Sequence, residues 1–207
     1  MTYEAGTRNP PLAELLGIAA AHAVPMVRGT ADADLDAPTP CAEYDVRGLL
    51  DHLFRVVENF TLLAAKQPSD FAGPDPARLA EPDWRARFET ETGRLVAAWA
   101  VPGAEEGTTG AMDMPARTVG AMVLLDLTVH VWDLARATGR SFEPDAAVVA
   151  ELAGEVARMA PTARKMGVFG PEARLQEPGD GDGSGVGPTP FERLLALTGR
   201  DPEAKAS

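Results

Sequence analysis

The sequence is short of cysteine, lysine and aromatic residues. It holds one cysteine, Cys41, three lysines and 6% aromatics. A single cysteine excludes an internal disulfide framework, so packing must hold the fold together, and a cytoplasmic location is the default expectation. Basic residues number 19 against 31 acidic ones, for a formal net charge of −12. Phosphate neutralisation needs a basic surface, so this balance argues against a nucleic-acid partner. No run of about 18 apolar residues occurs, and no membrane span is expected. The opening MTYEAGTRNPPLAEL lacks a basic region followed by an apolar one, so it does not read as a signal peptide. The shortage of lysine beside plentiful Ala, Gly and Pro suggests a high-GC bacterial coding bias.

What is present suits one α-helical domain spanning 1–207, since 207 residues at 45% hydrophobic content can bury a real core. Apolar residues recur at three- and four-residue steps over 10–28, 46–66, 81–100, 117–138 and 143–163, and again in FERLLAL near the end. Asp45 is a natural N-cap for the second of these helices, and Gly139 a natural stop for the fourth. Turn residues at 101–115 allow a small hairpin. The run GDGDGSGVGP at 179–188 reads as a flexible loop. It lacks the closing Glu of a calcium loop, because Phe191 stands at the twelfth position from Asp180.

The most informative stretch is DLTVHVWDLARATGR at 126–140. Asp126 and His130 are four residues apart on the apolar face of a helix, one turn above the other. A buried carboxylate must be paired, hydrogen-bonded or bound to a metal. The pair can supply two ligands to one cation, or it can be a hydrogen-bonded core pair. His52 falls on the core side of the second helix, between Leu49 and Val56, and could complete a metal set. His22 lies beside the stripe of the first helix, either facing the same interior or as a core or rim residue. Asp133, three residues after His130, is a candidate supporting partner; the other reading pairs it with Arg136 or Arg140. Trp132 and Arg136 are further candidates for substrate contact. Cys41 has no visible base beside it and reads as a small packed residue.

These stretches, with TPCAEYDVRGLLDHL at 39–53, PDWRARFETETGRLVAAW at 82–99, FGPEARL and RLLALTGRDP, carry a family resemblance. The chain resembles the actinobacterial DinB-like metal-binding proteins, which are related to the N-terminal domain of mycothiol-dependent maleylpyruvate isomerase. The resemblance implies an all-α four-helix bundle with short extra C-terminal helices. It also implies a divalent metal held by His52, Asp126 and His130, with mycothiol as a thiol cofactor. Tyr44 stands where the family often has Trp, and Asp126 where the isomerase has Glu. The chain is too short to carry the isomerase's separate C-terminal domain, so maleylpyruvate itself is not the expected substrate.

The leading expectation is therefore a metal-dependent thiol transferase or isomerase acting on a small organic substrate. Zn, Ni and Fe suit the donor set equally, and a homodimer is compatible with a bundle face. One alternative is a small-molecule-binding or cyclase/lyase-type bundle protein of specialised metabolism, with the metal structural or lost. Another is a metal- or thiol-responsive interaction protein.

Overall fold

A computed structural model describes residues 10–73, 77–176 and 187–203. The chain forms α1 (Leu12–Arg28), α2 (Val46–Ala64), α3 (Trp84–Trp99), a two-stranded hairpin of β1 (Thr108–Thr109) and β2 (Met114–Pro115), then α4 (Ala116–Ala137), α5 (Ala146–Lys165) and α6 (Pro190–Leu197). The hairpin pairs antiparallel, Thr108 opposite Pro115 and Thr109 opposite Met114. The fold is the all-α bundle read from the sequence. Its helix limits fall within three residues of the expected ones. Of the Gly-rich stretch 179–188, only Gly187 and Pro188 lie among the described residues.

The four core helices close a ring in the order α1, α3, α2, α4, each packed on the next and α4 packed back on α1. The pairs α1/α2 and α3/α4 therefore lie across the diagonals, and the chain crosses the end of the bundle to join them. Loop 29–45 makes the first crossing. It is held by backbone bonds from Val46 N to Ala37 O at 3.0 Å and from Arg47 N to Leu35 O at 2.8 Å. Asp45 caps α2 by accepting from Gly48 N at 2.7 Å, as its position in the sequence predicts. The other two helices pack outside this ring, α5 against α4 and α6 against α5.

α4 is the centre of the molecule. Sixteen of its 22 residues are buried, which is more than one apolar stripe can account for. A helix covered on nearly all sides is apolar nearly all round. It has the length and hydropathy of a membrane span, and its most apolar window is 83% buried inside the bundle. The closest approach is at Gly120, where an added Cβ would meet Leu12 Cδ2 at 1.9 Å and the Trp99 ring at 3.0 Å. Leu12 and Trp99 are themselves buried, so neither has room to retreat.

One network of charges ties several segments of the bundle at once. Arg117 at the start of α4 pairs with Glu105 and with Glu151 of α5, and it donates to Pro10 O at 3.2 Å. Glu105 also accepts the first free N–H of α1, from Leu12 at 2.7 Å. One arginine thus joins the start of α1, the segment before the hairpin, α4 and α5.

Gly120→Ala should overpack the α1–α3–α4 junction and destabilise the fold by about 1–3 kcal/mol. Urea denaturation of the variant beside the wild type checks this. An unchanged midpoint would show that Leu12 can move aside.

Candidate metal centre

His52 on α2 and Asp126 and His130 on α4 come together because α2 and α4 are neighbours in the ring. One donor atom from each lies within 4.8 Å of those of the other two. The rings of His52 and His130 meet edge to face, with centroids 4.9 Å apart. His130 Nε2 lies 3.7 Å from Asp126 Oδ1, too far for a hydrogen bond. The core-pair reading of Asp126 and His130 needs that bond; a cation between the two side chains does not.

Each imidazole is held through its other nitrogen. Tyr44 Oη lies 3.2 Å from His52 Nδ1, with the two rings stacked at 4.9 Å. Asp133 Oδ2 lies 2.9 Å from His130 Nδ1. Nε2 of both rings is thus left to serve a ligand, the arrangement in which polar partners fix the tautomer of metal-binding histidines. Tyr44 is positioned by its loop: Thr39 Oγ1 donates to Tyr44 O at 2.7 Å and accepts from Cys41 N at 3.1 Å.

Asp133 corrects one expectation. It pairs with neither Arg136 nor Arg140. Arg140 donates instead to the end of α1, at Met26 O (2.7 Å) and Pro25 O (3.4 Å). Arg136 sits over the Trp132 ring at 5.8 Å. The partner of Asp133 is Arg200, whose Nη2 donates to Oδ2 at 2.9 Å and whose Nε lies 3.3 Å from both carboxylate oxygens. No periodicity in the sequence links residues 133 and 200, so spacing could not find this pair.

The cluster lines a cavity of about 540 Å³. Leu125, Asp126, Val129 and His130 form one wall, from a single face of α4. Residues 40–44 form a second, and residues 166–171 and 198–200 the rest. Met166 and Val168 on this lining are large apolar side chains more than half exposed. Four sequence candidates are absent from the lining: Asp133, which stands behind His130, and three others. His22 is exposed and packs edge-on against Phe142, because it stands one position, about 100°, round α1 from the buried Ala23. Trp132 is buried and faces elsewhere, two residues round α4 from His130. Arg136 lies beside it. Cys41, read from sequence as a packing residue, does line the cavity and is half-buried.

Cys41, His130 and Asp133 form a second group with metal-ligand spacing. Electrostatics separates the two groups. Burial pushes the Asp126 carboxyl up to about 6, against weaker opposing pulls from His130 and Arg200. Burial would also raise Asp133, but hydrogen bonding to His130 and the charge and hydrogen bonds of Arg200 hold it below the usual carboxylate range. Asp133 therefore already has its cation, and the guanidinium would repel a second one. Among the described residues Asp126 has no such partner. Burial, with the nearby His130, Arg55 and Arg200, lowers His52 to about 3, so its ring is neutral and keeps a lone pair at neutral pH. Two imidazoles, that of His52 kept neutral by burial, and an under-compensated carboxylate fit a divalent cation.

Asp126→Asn should stabilise the metal-free protein at pH 7.5 by on the order of 1–2 kcal/mol, because a charge on a side chain only 27% exposed is costly. With its folded pKa near 6 and its ordinary value of 3.8, the folded state binds this proton more tightly. Wild-type stability contributed by Asp126 therefore falls as pH rises from about 4 to 6. The variant's advantage should be full above pH 6 and fade toward pH 4. Denaturation with chelator at pH 7.5 and 4.5 measures it; an advantage independent of pH would refute the assignment to Asp126.

The sequence matches neither a curated protein nor a solved structure. A family model, described as the mycothiol maleylpyruvate isomerase N-terminal domain, matches residues 16–135. That is more than half of the 207 residues and includes His52, Asp126 and His130. The chain belongs to the mycothiol maleylpyruvate isomerase N-terminal domain family.

Proposed function

We propose that the protein is a divalent-metal enzyme that uses a small thiol, in keeping with the family's mycothiol, to transfer or isomerise a small organic substrate. The observation that carries this reading is the convergence of the His52, Asp126 and His130 donor atoms within 4.8 Å in one cavity. A divalent ion at that position supplies Lewis acidity, lowering the pKa of a thiol or water brought to it. Two imidazoles and a carboxylate leave coordination positions open, as catalytic rather than structural sites do.

The chain's own groups do the rest. Tyr44 and Asp133 keep the two imidazole rings turned toward Asp126. The cavity is roomy enough for a small organic molecule, and Met166 and Val168 offer it apolar surface. The charge of −12 fits a small-molecule partner better than a nucleic acid.

Protein purified without chelator or metal-affinity tag should carry near-stoichiometric divalent metal by elemental analysis. A His52→Ala/His130→Ala double variant should carry almost none. A cobalt-loaded wild type should then gain a thiolate charge-transfer band on addition of mycothiol. Metal without that band would favour a structural ion in a small-molecule-binding or cyclase/lyase-type protein. Failure to take up Zn, Ni or Fe would refute the metal reading.

A further inference from the structure

The matched family stretch ends at residue 135, and Arg200 lies well beyond it. The local fold delivers it to the cluster. α6 ends in a turn in which Gly199 N bonds Ala196 O at 3.0 Å and Arg200 N bonds Leu195 O at 2.9 Å. This is the Schellman arrangement, which needs a left-handed residue after the helix. Gly199 supplies it at φ +89°. The same glycine lies against the backbone of Gly170, where a Cβ would come within 2.9 Å of Gly170 Cα. The turn thus sits close on the 166–171 wall of the cavity and aims residue 200 inward.

Arg200 and Asp133 are both nearly closed to solvent, with side chains 11% and 0% exposed. The guanidinium lies along the carboxylate, with Nε and Nη2 both on it, and Nη1 lies 3.3 Å from Thr198 O. Arg200 Nη2 itself stands 3.4 Å from His130 Nδ1, while Asp133 meets that nitrogen at 2.9 Å, its shortest contact. Two bare acceptors would repel at that distance, so a proton lies between them. A carboxylate already receiving guanidinium N–H groups can only accept. That contact puts the proton on Nδ1 and leaves Nε2, 3.7 Å from Asp126 Oδ1, as the nitrogen turned toward the cluster.

We propose that Arg200 is a positioning residue: it acts through Asp133 to set the tautomer and orientation of His130, and through His130 the affinity of the metal cluster. The second half rests on the metal reading above; the first half does not. The C-terminal helix is thus part of the centre, although it contributes no ligand. A planar bidentate fork is what the contact requires, which Lys cannot replace in full.

The test uses the full chain and its Arg200→Gln and Arg200→Lys variants. Long-range ¹⁵N–¹H NMR of metal-free wild type should show His130 protonated on Nδ1, and Arg200→Gln should shift it toward the Nε2-protonated or a mixed form. Zinc affinity, measured by competition with a chromophoric chelator, should fall about 10–100-fold in Arg200→Gln. Arg200→Lys should recover part of that loss. A folded Arg200→Gln with wild-type tautomer and zinc affinity overturns the proposal. If Arg200→Gln does not fold, Arg200→Lys decides: a several-fold loss of zinc affinity at an unchanged unfolding midpoint supports the proposal, and wild-type affinity overturns it. If the wild type binds no zinc, the metal reading fails, and the tautomer of the metal-free variants still decides the role of Arg200.

Discussion

Two carboxylates seven residues apart on one buried helix constrain this molecule more than any other pair of groups. Asp126 and Asp133 both lie on α4, a helix covered by its neighbours on nearly every side. A charge in that setting needs a partner. Asp133 has Arg200; Asp126 has two imidazoles and an open cavity. The unequal treatment of two like groups is what separates a structural pair from a site. It also explains why only one of two clusters with suitable spacing is suited to a cation, since the guanidinium already occupies the electrostatic role in the other.

The arrangement of helices follows from the same constraint. To bury α4, the chain places α1 and α2 on either side of it and α3 across the diagonal. Gly120 lets Leu12 and the Trp99 ring come close enough to close that junction. The Arg117 network joins the starts of α1 and α4 to α5. Asp126 and His130 lie further along α4 than Gly120 and Arg117, where α4 borders the cavity rather than a packed junction.

How much of this was legible in the sequence depends on the range of the signal. Helices α1 to α5 are visible because their apolar residues recur within a few turns. Asp126 and His130 are visible for the same reason, being neighbours on one helix face. His52 is on another helix; its core-side position is readable, but its meeting with α4 is not, and the family resemblance made that link. Arg200 lies 67 residues from Asp133, and nothing local in either stretch marks the other. The near-sequence partners Arg136 and Arg140 were the natural expectation, and each is engaged elsewhere, on Trp132 and on the end of α1. His22 shows the limit of helical phase: one residue's rotation, about 100°, separates the core from solvent. Cys41 and Tyr44 lie in a loop without periodicity, where Thr39 rather than a pattern sets their place.

The turn after α6 carries a consequence for how the protein is made. Chains emerge from synthesis N-terminus first, so the four-helix ring can begin to close while residues beyond α5 are still absent. Until residue 200 is present, Asp133 lacks the guanidinium that faces it in the folded protein. The Gly199 turn brings that positive charge after the ring helices. On the role proposed for Arg200, a molecule clipped before Gly199 would keep the residues of its four-helix ring and lose the guanidinium that faces Asp133.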